Sequence, residues 1–328
     1  MSEATPRVVA CEICGASDAG ANFRVEYPIA DRRSGYNYLR CRRCQSLTLT
    51  DPPMDLAPYY SPESYYSTRA TDAIDLIASL VLTKASFEGR GWWYRRLQSH
   101  SLDDPALVAI GRLHPPHNAR IVDVGCGSGR LLERLSLLGF SNLMGCDPFA
   151  VVSSSGHARI FQDEFTKFPE RPLLDVVMFH HSLEHVAHPS HVLTAARKRM
   201  GSTGVLLLRI PVLGLAFEKL GAMWPSLQPP RHLVLPSLIG LQLLMKRTGF
   251  TIVDSYFDSK EWQFIPQTKR GSLRSNTYLS RKATLLSKLF DQKFQEAIRY
   301  AKILNDRGLG DSVTVFATPS QCNCDGDE

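Results

Sequence analysis

Three sets of side chains in this 328-residue chain have the types and spacing that chemistry needs. The first is a pair of C-x-x-C units, Cys11/Cys14 and Cys41/Cys44. Each unit can sit on a tight turn that points two thiolates at one ion, and two such turns complete a closed tetrahedral Zn2+ site of structural type. Two redox-active or unligated pairs are the alternative for the same four residues. The second set is Ile121-Val122-Asp123-Val124-Gly125-Cys126-Gly127-Ser128-Gly129, an apolar run that ends in alternating glycines and leads into the amphipathic segment 131–138. That order reads as strand, tight turn and helix. Glycine takes positive φ and lets a ligand approach the backbone, and the opening helix offers unpaired N–H groups. Asp147 follows the next apolar run, Leu143-Met144-Gly145-Cys146, and an acid about 20 residues past such glycines can accept both hydroxyls of a ribose. The third set is a crowd of histidines, His180, His181, His185, His188 and His191, after the run 175–179. Imidazole can accept a proton near neutral pH.

These residues need elements to position them, and the pattern from residue 119 onward supplies an alternation. Strands are expected at 119–124, 142–146, 158–162, 174–179, 205–210, 251–257 and 312–317. Helices are expected at 128–139, after Pro148, and at 189–200, 236–249 and 281–305. Alternating strands and helices predict an α/β fold with a mostly parallel sheet covered by helices on both faces. Residues 8–50 form a small N-terminal ribbon, too short for much core of its own, so a bound metal would supply much of its folding energy. Residues 51–113 read as a proline- and tyrosine-rich connector and a helical lid carrying Trp92, Trp93 and Tyr94. Residues 114–319 form the main domain, and the acidic stretch 320–328, with Cys322 and Cys324, reads as a disordered tail.

The glycines do not fit the dinucleotide fingerprint G-x-G-x-x-G, because Arg130 stands where spacing would have to continue. With Asp123 just before them, they resemble instead the nucleotide-binding loop of the class I S-adenosylmethionine-dependent methyltransferases. That resemblance implies a Rossmann-like seven-stranded methyltransferase sheet ending in an antiparallel hairpin. It also implies S-adenosyl-L-methionine as cofactor, contacted by Asp123, Gly125, Cys126, Gly127, Gly129, Asp147, Pro148, Asp163 and His181. The segment Ser182-Leu183-Glu184-His185-Val186 with Pro189 resembles the loop after the fourth strand in ubiquinone-biosynthesis O-methyltransferases. There the loop lines the methyl-transfer site, which makes His185 the first candidate base and His181 and His232 the others. Some ubiquinone-pathway enzymes carry Glu-x-x-Glu-His at this loop and hold a divalent cation. In this chain His181 replaces the first Glu, and His181, Glu184 and His185 would suit a transition metal better than Mg2+. Met223-Trp224-Pro225 and Pro229-Pro230-Arg231-His232 lie where substrate loops belong. Together with the four-cysteine head they are similar to bacterial methyltransferases of saccharide and polyketide-sugar pathways.

Composition bounds the rest. Lys and Arg number 38 against 32 Asp and Glu, a mild excess compatible with an anionic acceptor and short of a nucleic-acid signature. Runs of basic and aromatic residues of the kind that stack bases are sparse, so a nucleic-acid partner is not expected. No long uncharged apolar run predicts a membrane span, and the first residues lack the apolar core of a signal peptide. A cytoplasmic enzyme is therefore expected, with no reading of its oligomeric state. The function these residues favour is O-methylation of a small-molecule or saccharide acceptor, with structural zinc in the ribbon. The alternatives are RNA methylation with the ribbon binding the substrate, and C- or N-methylation of a nucleotide sugar.

Overall fold

Ile121, Val122 and Val124 are buried although they do not alternate with polar residues. The reason is that strand β4 (Arg120–Val124) runs through the middle of a sheet, parallel to β5 (Asn142–Cys146) on one side and to β7 (Leu174–His180) on the other. A parallel strand covered on both faces reads as a continuous apolar run. Val122, Val124, Val177 and Phe179 point to one face, into a core shared with Val192 and Leu193 of helix α5 (Pro189–Arg199) and Leu241 and Leu244 of α7 (Leu238–Arg247). Ile121, Val176 and Met178 point to the other, against Ile110 of α3 (Pro105–Leu113) and Leu132 and Leu135 of α4 (Arg130–Leu137).

The computed structural model describes residues 10–17, 20–29, 32–60, 83–99, 103–150, 158–264 and 292–320. The large sheet holds seven strands in the order β10-β11-β8-β7-β4-β5-β6, with β6 at Arg159–Phe161, β8 at Met200–Pro211, β10 at Phe250–Phe257 and β11 at Ser312–Pro319. All neighbours are parallel except β11, which runs antiparallel to both β8 and β10. The expected antiparallel close is present. It is not a tight hairpin, because α8 (Gln292–Asp306) lies between β10 and β11 in the chain. Strand order reverses between β4 and β7, and in open α/β sheets ligands bind in the crevice outside the carboxyl ends of the strands at such a switch point. Ahead of the sheet, a helical turn at 83–88 (α1), α2 (Gly91–Ser99) and α3 account for the described part of the expected helical lid; residues 70–82 lie outside the described residues. The stretch after Pro148 begins as a turn, and 151–157, where the short helix was expected, are also outside them, as are the early part of the helix expected at 281–305 and the tail cysteines.

The ribbon is not a separate body. Strands β1 (Ala21–Ile29), β2 (Arg32–Arg40) and β3 (Leu47–Leu49) form an antiparallel sheet whose fourth strand, β9 (Val234–Leu235), comes from the main domain. Two residues are too short to leave a sequence signal, so β9 is absent from the expectation. The ribbon's apolar face, including Val25, Tyr38 and Leu47, closes over Phe217 of α6 (Leu215–Leu220), Trp224 and Leu227. Cys11, Ile13, Cys41 and Cys44 pack into the same core as α7. The small region thus has little core of its own, as expected, and obtains one by sharing.

Helix α7 docks there through Gly240. Ser237 caps the helix by accepting from Gly240 N at 2.9 Å, donates to the Cys44 carbonyl, and its own amide donates to Ser46 Oγ at 3.1 Å. A Cβ on Gly240 would fall 2.1 Å from Ser46 Oγ and 3.0 Å from Ile13 Cγ2. Ser46 is held by this network and cannot swing away cheaply. The overpacking cost of about 1–3 kcal/mol therefore exceeds the helix-propensity gain of about 1 kcal/mol for Gly to Ala. Gly240→Ala should lower stability by about 1–2 kcal/mol on that balance, read as an earlier urea midpoint with an unchanged slope. A variant as stable as the parent would show that ribbon and helix do not pack this closely.

Candidate cofactor and acceptor site

The three glycines after β4 all take the left-handed conformation, with φ of 78° at Gly125, 55° at Gly127 and 77° at Gly129. Gly129 is the N-cap of α4 and carries no side chain, so the turn presents bare backbone at the helix start. Gly125 N donates to the Cys146 carbonyl at 2.7 Å, which ties the loop to the end of β5. Asp147 then reaches back: one carboxylate oxygen accepts from Gly127 N at 2.8 Å and the other from Phe149 N at 2.7 Å. Asp123, inside β4, is buried next to this carboxylate. Burial, and then the charge of Asp147, push its carboxyl up to about 8. A cationic group seated beside Asp123 would favour its ionised form.

Cys126 is in the loop but its side chain is not. The thiol is buried, packed in the lower core and close enough to Gly145 that a Cβ there would lie 2.6 Å from its sulfur. Only its backbone faces the crevice side, and burial pushes its thiol up. Pro148 lies exposed in the turn after Asp147. Asp163 stands just past β6, with its carboxylate bonded to Lys167 at 2.8 Å and its carbonyl accepting from the Cys146 thiol at 3.0 Å.

The histidine loop sits directly on the glycine loop. Ser182 Oγ donates to the Val124 carbonyl at 2.5 Å, and its Cβ occupies the space where a side chain on Gly125 would be, 2.3 Å away. Beyond Ser182, a 3-10 turn at Leu183–His185 buries Glu184 completely. His181, at φ 53°, donates its amide to the Arg209 carbonyl and sets its Nδ1 3.3 Å from Glu184 Oε1. His185 Nδ1 lies 3.0 Å from the Arg231 carbonyl and 2.8 Å from Tyr60 Oη. A carbonyl can only accept, so Nδ1 carries the proton and Nε2 the lone pair in the neutral ring. His232 stacks edge-on against His185 with centroids 4.7 Å apart, and its Nδ1 donates to the Ser226 carbonyl at 2.6 Å. One ligand atom from each of Glu184, His185 and His232 falls within 4.8 Å of the others. The trio brought together thus replaces His181 of the expected set by His232.

Burial lowers both imidazoles, and His232 reaches about 3. Burial alone would raise Glu184; the His181 contact and the neighbouring imidazoles outweigh it and hold the carboxyl well below its usual range. The other histidines of the run part company. His180 is half-buried at the end of β7 with its ring nitrogens enclosed, lowered to about 3 by burial and by Arg209, and those nitrogens have no hydrogen-bond partner among the described residues. His188 is exposed and meets Glu12 of the ribbon at 3.1 Å. Beneath the loop Arg209 pairs with Asp258, and Arg134 with Asp104.

Tyr60, Phe149 and Ser182 were not among the expected site residues. Tyr60 stacks flat on Phe149, with centroids 4.7 Å apart, and presents its hydroxyl to His185. It thereby joins the connector, the end of β5 and the histidine loop. The aromatic crowding of 59–66 was the only sequence signal for it. Trp224, by contrast, is fully buried against Phe217 and fills core.

The four cysteines converge as their spacing requires. Cys11 and Cys44 sulfurs lie 3.7 Å apart, as do those of Cys14 and Cys41, and all four fall within 4.8 Å of one another. A tetrahedron with Zn–S bonds of about 2.3 Å has edges of about 3.8 Å, so the donor set fits that ion. The contacts with Cys11 and Ser46 lower the Cys44 thiol to about 5, whereas that same Cys44 contact and burial raise Cys11. Four crowded thiols cannot all ionise without a cation among them.

An open seven-stranded sheet with a glycine loop at its switch point and an acid closing the next strand defines a Rossmann-like domain of the methyltransferase type. Residues 93–255 match the family described as methyltransferase domain, and this part of the chain belongs to the class I S-adenosylmethionine-dependent methyltransferases. A 101-residue stretch is 35% identical to the mitochondrial ubiquinone biosynthesis O-methyltransferase of Candida albicans, covering 27% of this chain. The chain spans about a third, 31%, of that relative's length. Among solved structures, magnesium protoporphyrin IX methyltransferase from Synechocystis is 13% identical with a TM-score of 0.42, covering 81% of this chain and 98% of that one. A SAM-dependent methyltransferase from Archaeoglobus fulgidus is 16% identical with a TM-score of 0.41, covering 70% and 100%. Among the described residues no helix is long and apolar enough to cross a membrane.

Proposed function

We propose that this protein transfers a methyl group from S-adenosyl-L-methionine to a hydroxyl of a small-molecule or saccharide acceptor, with His185 as base and Zn2+ held by Cys11, Cys14, Cys41 and Cys44. The observation that carries this reading is the seat of Ser182 on Gly125, which sets the histidine turn against the loop that would hold the cofactor. When bound, the cofactor supplies a sulfonium methyl for in-line displacement. Gly125, Gly127 and Gly129 offer backbone at the helix start, Asp147 accepts from the ribose hydroxyls, and Asp123 faces the cationic end. Cys126, Pro148, Asp163 and His181 remain assigned to the cofactor's surroundings, Cys126 through its backbone. His185 Nε2 takes the acceptor's proton as the O–C bond forms and the C–S bond breaks. The short overlap with an O-methyltransferase of ubiquinone biosynthesis favours oxygen as the methylated atom.

Three outcomes follow. In calorimetry, Asp147→Ala should weaken cofactor affinity by at least about tenfold, since hydrogen bonds to a charged acceptor contribute about 1.5–3 kcal/mol each. Because burial and the charge of Asp147 push Asp123 up to about 8, binding of the cationic cofactor at pH 7 should release a proton and affinity should rise as pH approaches that value. Unchanged affinity in the variant, with no buffer dependence of the heat, would remove both acids from the site.

Metal analysis should find one zinc per chain. Since the cysteines pack in the shared core, stripping the metal should lower the melting temperature of the whole protein, not of the ribbon alone. Native protein without zinc, with all four thiols open to alkylation, would contradict the assignment.

His185→Ala should cut turnover on the acceptor by about 10²–10⁴-fold, the usual contribution of general base catalysis, with cofactor affinity unchanged. Only neutral imidazole accepts a proton, and burial holds His185 below its ordinary value, so the acid limb of the rate profile should lie below about 6.5. Near-parental turnover would exclude His185 as base.

A further inference from the structure

We propose that the four-cysteine ribbon positions the acceptor side of the site, and that Tyr38 is its positioning residue, holding the 224–235 segment so that His232 meets Glu184 and His185. The inference rests on the reading of those residues as the acceptor side.

The second cysteine pair is the turn between β2 and β3. Cys41 N donates to the Ser46 carbonyl at 2.9 Å, Gln45 N to the Cys41 carbonyl at 2.9 Å, and Gln45 takes a positive φ of 60°. Fixing this turn fixes the two strands that leave it, and both grip the same segment. On β2, fully buried Tyr38 donates its hydroxyl to the His232 carbonyl at 2.7 Å, with the Leu227 carbonyl at 3.2 Å. On β3, Leu47 and Thr48 pair with Leu235 and Val234, and Leu49 N donates to the Leu233 carbonyl at 2.8 Å. The far side of the segment faces the histidine turn: Leu233 N donates to the Glu184 carbonyl at 2.8 Å, and the Arg231 carbonyl orients His185. The segment 231–235 thus touches the ribbon on one side and the site on the other.

The first cysteine pair acts in the same direction. Glu12 lies between Cys11 and Cys14 and meets His188 at the end of the histidine loop, while Arg247 of α7 donates to the Ile13 carbonyl at 3.3 Å. Among the described residues the contacts of the glycine loop run elsewhere: those of Gly125, Gly127 and Asp147 are with one another and with β5, β6, Phe149 and Ser182. A fault in the ribbon should therefore disturb His232 and spare cofactor binding. That separation is what a positioning role requires and a general stabilising role lacks.

The test needs no acceptor. Full-length zinc-loaded protein is labelled with [13Cε1]-histidine, and the His232 signal is identified by its absence in His232→Gln. Tyr38→Phe keeps the ring and removes only the donor. The expected result is an unchanged zinc content and an unchanged calorimetric affinity for S-adenosylhomocysteine. The His232 signal should shift, and its titration, set by burial and by Glu184, His185 and Arg231 around it, should move up toward the ordinary value of about 6.5 as water reaches the ring. Removing zinc from the parent with a chelator should move the same signal. Asp175→Asn, which loosens the Arg120 clamp at the starts of β7 and β4, away from both the ribbon and the 224–235 segment, should leave it in place. An unmoved His232 in Tyr38→Phe or in the zinc-free parent would overturn the proposal. So would an equal shift in Asp175→Asn or a loss of S-adenosylhomocysteine affinity in Tyr38→Phe. Failure of His185 as base would appear in turnover and leave these signals untouched.

Discussion

The crossing of two loops at Gly125 is the constraint on which the rest depends. One loop comes from the end of β4 and the other from the end of β7, and they meet where a single β-carbon would leave 2.3 Å to Ser182. Gly125 must be glycine twice over, because the turn also needs φ of 78° there, a region that costs other residues about 1–2 kcal/mol. With the two loops in contact, Val124, Ser182 and Glu184 follow one another within a few ångströms. The parallel pairing of β4 with β7 is what delivers both ends to the same place.

Electrostatics organises the site around that crossing in two halves. On the glycine side buried Asp123 neighbours the Asp147 carboxylate, and burial together with that charge pushes its carboxyl up. On the histidine side the order is reversed: one buried carboxylate, Glu184, stands among three imidazoles, two of them held neutral by burial. Each of those two rings has its Nδ1 pinned to a backbone carbonyl, which fixes tautomer and orientation together. The charged pairs Arg209–Asp258 and Arg134–Asp104 satisfy their own charges beside this loop.

Much of this was legible in the sequence because it rests on local signals. Alternating glycines, an acid at a strand end and two C-x-x-C pairs each imply their own geometry, and each occurs as read. The strand pattern from 119 onward was recoverable because buried parallel strands are continuous apolar runs. What escaped was set by distant partners. Strand β9 is two residues long and exists only because β3 is beside it. Tyr60 looked like one tyrosine among several until Phe149 and His185 flanked it. Asp175, which opens the histidine motif, proved structural: its carboxylate clamps the Arg120 guanidinium and joins the starts of β7 and β4. His180 and His188 share a run with His185, yet alternation along the strand and the turn at His181 enclose the ring nitrogens of the first and send the second to the surface.

The ribbon's place in the fold has a consequence for how the chain is built. Its sheet is incomplete until residues 234–235 join β3, so residues 47–48 wait for partners made nearly 190 residues later. Contacts between such distant segments carry a loop-closure cost before they return any stability. The knuckle turns can form early, because each cysteine pair and its turn hydrogen bonds are local. A cation that gathers both pairs would hold β2 and β3 at the correct spacing before their partner exists. A metal bound there would act on the arrangement of strands more than on chemistry, and the arrangement it would fix is the one that carries Tyr38 to the His232 carbonyl.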